Sequence, residues 1–374
     1  MHEIIVKEIE DKNIIWFKNT NSYLVFEPVV AKIISKIDDK VPVSEIEYWC
    51  LKKLNAPKEV IIEFVNNIHV VYADNTISTE NKAAKSVDFN IPTLYFSEKY
   101  YLINNFIFQI QFETEYHESK IHPAFAHLET EKSLGYNFVY TIFDNNQLIT
   151  FLKEKKCIGQ WCKEEVHLLQ GKFSMQLLID IYKKSEEEWM GTFHASAVSN
   201  GKESLLILGD SGNGKSTSLA LLNANGYHSI ADDFVPIDIN KDIYTYPAAI
   251  SLKAQSMVTL LPYYPELETS AEYHFKKMKK IVRYLSPSKI DYNQKQKCKA
   301  LIFIKYNPDV DFQINLISQI NALQQLIPDS WISPIKENAE TFIDWFLELP
   351  CYQLTYSNNQ KMIESVSKIF NDEL

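Results

Sequence analysis

Eight consecutive residues, Gly209-Asp210-Ser211-Gly212-Asn213-Gly214-Lys215-Ser216, have the types and spacing that suit the binding of phosphate groups. They fit G-x-x-x-x-G-K-[ST] without a mismatch. An apolar run, Leu205-Leu206-Ile207-Leu208, comes before them, and Thr217 to Asn225 reads as a helix stopped at Gly226. A phosphate cradle needs this order. Gly209, Gly212 and Gly214 tolerate positive φ and let bare N–H groups approach phosphate oxygens. A helix opening at Lys215, Ser216 and Thr217 turns its positive end toward the same anion. Lys215 can reach the β- and γ-phosphates of a nucleotide, and the Ser216 hydroxyl can hold Mg²⁺. The chain has nine glycines, three of them inside these residues and none before Gly135, so the cluster stands out from its background.

Two neighbouring stretches could supply further chemistry. Ser229-Ile230-Ala231 reads as a strand ending in Asp232-Asp233. Phe193 to Val198 reads as another short strand, turning at Asn200-Gly201 into the strand that enters the glycine loop. That pairing puts His194 on a strand beside the phosphate site, although a lone strand histidine is usually structural.

Taken together, His194, the loop GDSGNGKS and Ala231-Asp232-Asp233 resemble the HPr kinase/phosphorylase family over roughly residues 170–374. His194 lies 21 residues before Lys215 and Asp232 lies 17 after it, spacings similar to the family's. The resemblance implies a PEP-carboxykinase-like P-loop domain that uses ATP and Mg²⁺ to phosphorylate a serine hydroxyl. It implies Asp232 as the base for that hydroxyl, with His194 tuning its protonation, Lys215 on the phosphates, and Asp233 with Ser216 near the metal. A metal site with no general base stays open for the two aspartates. The family's Glu-Arg-Gly signature is absent from the comparable stretch, Tyr246 to Lys253, so HPr as substrate and the reverse phosphorolysis do not carry over. Pro247-x-x-Ile250-Ser251-Leu252-Lys253 is more similar to diverged HPr-kinase-like proteins found beside peptide-maturation genes. Lys253 and Arg283 are either phosphate contacts or plain surface cations.

The first 75 residues read as a small separate module. Ile14 to Phe17 and Ser22 to Phe26 flank an Asn-rich turn as a hairpin. Helices follow from Pro28, from a capping-box pattern at Ser44 and Glu47, and from Pro57. The order resembles the PqqD-like peptide-recognition domains of peptide-modifying enzymes, which implies a peptide added as a strand to a sheet edge. A docking role within the chain is the alternative. A polar linker over 76–87 and a β-rich segment over 88–170 follow, and the catalytic region is expected over 171–374. His117, His122 and His127 do not share a helix face and read as loop or core histidines.

Composition narrows the field. The chain has 374 residues and a net charge of −10, which argues against broad nucleic-acid binding. The start has no apolar leader and no run of 18 apolar residues occurs, so no membrane segment is expected. Five scattered cysteines read as reduced thiols in a cytoplasm; Cys157, Cys162 and His167 lack a second pair that would complete a zinc site. Strand–helix alternation after Ala300 predicts an α/β sheet. The expected fold is therefore α/β, with a C-terminal P-loop domain preceded by a β-rich segment and a winged-helix-like module. The expected function is an ATP- and Mg²⁺-dependent kinase acting on serine of a peptide or protein substrate, with a homo-oligomer allowed. A free-serine-type small-molecule kinase and a nucleotide-binding adaptor are the alternatives, and pyrophosphate is an alternative donor.

Overall fold

The computed structural model describes residues 3–77, 89–132, 135–275, 280–287 and 290–374. The linker expected over 76–87 lies largely outside these residues. Contacts divide the chain into two units, one of residues 1–85 with 316–351, the other of residues 86–315 with 352–374.

The first unit is built on three antiparallel strands, Ile4–Ile9, Lys12–Phe17 and Ser22–Phe26, in that order. The last two are the expected hairpin; the first was not anticipated. Helices Pro28–Asp38, Val43–Lys53 and Lys58–Thr76 follow. Their apolar faces bury Ile33, Ile34, Ile46, Cys50, Ile61 and Val65 against Ile15 and Phe17. The expected capping box at Ser44 does not form: Pro42 takes the cap position and no side chain caps the helix. Residues 316–351, expected from sequence to belong with the catalytic region, cluster with this unit. Their helix Lys336–Leu347 packs on strand Ile4–Ile9, with Phe342 edge-on to Tyr23 at 5.2 Å and Glu340 and Asp344 paired to Lys7. Hydrophobic period announces that helix but says nothing of its partner some 300 residues earlier.

Among the described residues the second unit holds three sheets. The β-rich segment forms six strands, ordered Glu129–Thr130, Ser97–Ile103, Phe106–Phe112, Phe138–Asn145, Leu148–Lys153, Lys156–Trp161. Residues 93–96, near the start of the β-rich segment, form no strand. Helix Val166–Tyr182 packs on this sheet through Phe173, which meets Tyr140 and Phe151. His117 and His122 lie on helix Glu115–Phe125, despite Pro123, and His127 just beyond it. His117 is 1% exposed, so it is a core histidine on a helix rather than in a loop.

The main sheet of this unit runs His228–Asp232, Ser196–Ser199, Glu203–Leu208, Lys295–Tyr306, Asp242–Tyr244, Val235–Asp238, Trp189–Phe193, and Cys351–Tyr356 also pairs with Lys295–Tyr306. Glu203–Leu208 and Lys295–Tyr306 are parallel. Leu205 to Leu208 are all buried, as a strand covered on both faces requires. Helices Lys215–Ala224 and Asn359–Phe370 pack through Leu219, Leu222, Met362 and Val366 against Leu205, Ile207, Ile302 and Leu354. This mixed α/β layering fixes the point where the chain leaves strand Glu203–Leu208 and turns into a helix. A small antiparallel sheet of Ile250–Lys253, Lys280–Leu285 and Tyr273–Phe275 completes the unit.

Candidate functional site

The glycine loop sits between strand Glu203–Leu208 and helix Lys215–Ala224. Gly209 adopts φ +136°, and a Cβ there would lie 2.5 Å from the carbonyl oxygen of Ile304 on the neighbouring strand. Only glycine lets the loop pass so close to that backbone. Gly214 caps the helix at φ +97° and has no side chain to offer its first-turn N–H groups. Those groups are left for another acceptor, and the helix dipole favours an anion.

A cavity of about 430 Å³ opens over the loop. Asp210, Ser211, Gly212, Gly214, Lys215, Ser216 and Thr217 line it, as do His194, Asp233, Ser251 and Lys253. Gly209 and Asn213 shape the loop from behind. The Gly209 carbonyl accepts from Lys215 Nζ at 2.5 Å, and the Asn213 carbonyl accepts from the Tyr306 N–H at 3.0 Å. Lys215 is 6% exposed, which makes it a nearly buried cation at the cavity floor.

Asp232 and Asp233 are adjacent but lie in different environments. Asp232 ends strand His228–Asp232, is 2% exposed and does not line the cavity. Its Oδ1 accepts from Ser196 Oγ at 2.6 Å and from Ser216 Oγ at 3.2 Å; its Oδ2 accepts from the Ser251 N–H at 3.1 Å. Burial, then the charge of Asp233, pushes its carboxyl up to about 7, against the lowering effect of those hydrogen bonds. Asp233 leaves the strand in a left-handed conformation, φ +62°, and its side chain is 48% exposed at the cavity. His194 Nδ1 stands 3.8 Å from Asp233 Oδ1.

These pairings cross those implied from sequence. Ser216 meets Asp232, not Asp233, and His194 meets Asp233, not Asp232. The reason is strand alternation: consecutive side chains leave a strand on opposite faces, and the turn at Asp233 opens it toward the cavity. His194 is also not on a strand. It lies in a break between Trp189–Phe193 and Ser196–Ser199, where its ring is 39% exposed.

The two uncertain cations separate. Lys253 Nζ donates to Ser211 Oγ at 3.1 Å and lines the cavity. Arg283 does not line it; its guanidinium donates to the carbonyls of Leu267, Glu268 and Ser270 and to Glu272. Sequence reasoning missed Ser196 and Ser251, which fix Asp232, and Tyr306, Tyr356 and Asn359, which line the cavity. Serines and tyrosines carry no spacing signature, so only the fold reveals them.

The donor set suits a hard divalent cation. Ser216 and the two aspartates offer oxygen only, and among the described residues no cluster of three or more His, Cys, Asp or Glu could hold a metal ion alone. Mg²⁺ needs no protein cage of that kind, because one or two carboxylates with phosphate oxygens and water suffice. No helix among the described residues is long and apolar enough to cross a membrane.

No protein-family model and no curated protein matches the chain. Among solved structures the chain is similar to the Hpr(Ser) kinase/phosphatase from Coxiella burnetii, at 10% identity and a TM-score of 0.22, over 48% of this chain and 94% of that one.

Proposed function

We propose that this chain is an ATP- and Mg²⁺-dependent kinase that phosphorylates a serine hydroxyl on a peptide or protein. One observation carries the reading: a glycine loop with a buried lysine, the Ser216 hydroxyl held by Asp232 behind it, and an exposed carboxylate–histidine pair meet at one cavity. A site that only binds a nucleotide has no use for the last pair.

Phosphoryl transfer needs positioning, charge neutralisation and a destination for the hydroxyl proton. The N–H groups of residues 214–217 and Lys215 hold the phosphate chain. Asp232 orients the Ser216 hydroxyl, and that hydroxyl, backed by Asp232, would hold Mg²⁺, which would supply charge neutralisation for the phosphates. The acceptor oxygen bonds to the γ-phosphorus while the bond from that phosphorus to the bridging oxygen breaks, leaving ADP. Asp233 takes the hydroxyl proton, and His194 beside it stabilises the charge distribution of the carboxylate. This assignment departs from the one implied by family resemblance, which gives the proton to Asp232. Both Asp232 oxygens are already engaged, whereas Asp233 faces the cavity. Lys253, held on Ser211, adds a second cation at the loop. The first unit holds the peptide in this reading, with Ser22–Phe26 at a sheet edge where a strand can add.

The test is transfer of label from γ-³²P-ATP with Mg²⁺, using peptides encoded beside the chain's own gene and free serine as acceptors. Label on a seryl peptide, absent with Lys215→Ala, is the expected result. Label on free serine alone would make it a small-molecule kinase. ATP binding without label on either acceptor would leave a nucleotide-binding adaptor and overturn the proposal.

A further inference from the structure

The lining of the same cavity also has an aromatic part. In the sheet, strand His228–Asp232 lies on one side of the loop-bearing strand, while Lys295–Tyr306 and then Cys351–Tyr356 lie on the other. The carboxylates and the tyrosines therefore flank the loop from opposite sides. Tyr306, at the end of its strand, is 48% exposed and lines the cavity with Tyr356 and Asn359. Its position is fixed by its N–H on the Asn213 carbonyl and by an edge-on contact with Tyr356, ring centres 5.7 Å apart at 83°. Tyr356 is itself buried, its hydroxyl 2.8 Å from Ser218 Oγ on the loop's helix. A large ring half exposed at a cavity, its backbone tied to the loop and its edge set against Tyr356, is built as a platform.

A nucleoside triphosphate is long, and its γ-phosphate must lie at the end where a hydroxyl can be deprotonated. Resting on the kinase reading, that end is Asp233 and His194, so the sugar and base must extend the other way. We infer that Tyr306 is the stacking platform for a purine base, with the Asn359 amide at the rim to meet polar atoms of the base or ribose. The amide carries both donors and an acceptor, as a purine edge or ribose hydroxyl needs. The inference assigns the donor as a purine nucleoside triphosphate rather than pyrophosphate, which would leave this end unused.

The test is calorimetric titration of the full chain with Mg·ATP and with Mg·tripolyphosphate, which lacks a base. Tyr306→Ala should weaken Mg·ATP about tenfold, the order of one lost base–aromatic stack, and leave Mg·tripolyphosphate unchanged. Tyr306→Phe keeps the ring and should bind both as wild type does. Photolabelling of the unaltered chain with 8-azido-ATP should mark the peptide that contains Tyr306, which covers the case of a misfolded alanine variant. Equal binding of Mg·ATP by wild type and Tyr306→Ala, or a label on a different peptide, would overturn the base site and leave the kinase reading intact. If wild type bound neither Mg·ATP nor Mg·tripolyphosphate, the kinase reading would fail and this inference with it.

Discussion

Replacing Gly209 by alanine tests whether the loop is clamped against its neighbouring strand. The new Cβ would sit 2.5 Å from the Ile304 carbonyl oxygen, an atom of a central strand that cannot swing aside as a side chain can. The backbone angle, φ +136°, is one that only glycine adopts freely. Strain of this kind costs about 1–3 kcal/mol, and forcing an extra methyl into packed structure costs a similar ~1–3 kcal/mol. The two together give about 2–6 kcal/mol. Gly226→Ala is the matched control: its φ is also positive, +90°, but nothing lies within 4 Å of the added Cβ. It should cost only about 1 kcal/mol, the left-handed penalty partly offset by a less flexible unfolded chain. Urea unfolding of the two variants beside wild type reads the difference directly. Mg·ATP titration of the same samples should show binding lost in Gly209→Ala and kept in Gly226→Ala. Equal stability of the two variants, with Mg·ATP bound by both, would refute the clamped loop.

Three further outcomes follow from the same geometry. Lys215→Ala removes a nearly buried cation from the cavity floor and should weaken Mg·ATP by about a hundredfold, as loss of a desolvated charge partner does, in the same titration. Arg283→Ala should lower the free energy of unfolding in urea by about 2–4 kcal/mol for several charge-assisted bonds to backbone carbonyls, while Mg·ATP affinity stays at the wild-type value; Lys253→Ala should weaken Mg·ATP and leave unfolding in urea unchanged. Burial pushes His127 from 6.5 down to about 4. The unfolded chain therefore takes up a proton that the folded chain refuses. Stability from this group is complete above pH 6.5 and is lost as the pH falls toward 4, by about 3 kcal/mol in all. Urea unfolding of His127→Phe should show a shallower loss over that window than wild type.

The loop was legible because its chemistry forces a spacing: glycines where backbone must approach a phosphate, then lysine and serine on the first helical turn. The hairpin around Asn21 was legible through its apolar strand runs and its Asn-rich turn. What the sequence hides is pairing across distance. That Ser216 would meet Asp232 and His194 would meet Asp233 depends on a left-handed turn at Asp233, which no local pattern announces. The break that frees His194 is likewise masked, since Phe193 to Val198 has the composition of one continuous strand. Residues 316–351 carry an ordinary helical period, yet they cluster with strands near the start of the chain. Tyr306 and Tyr356 become site residues only because two strands far apart in sequence end on the same side of the loop.

The division of labour between the two aspartates is the centre of this account, and it is tested by measuring Mg·ATP affinity and label transfer in parallel for Asp232→Asn and Asp233→Asn. Asp232→Asn should weaken the Mg²⁺-dependent part of ATP binding, because Ser216 loses the carboxylate that orients it. Asp233→Asn should bind Mg·ATP as wild type does and lose transfer to a seryl peptide. The opposite pattern, with metal-dependent binding lost at Asp233 and transfer alone lost at Asp232, would contradict the assignment.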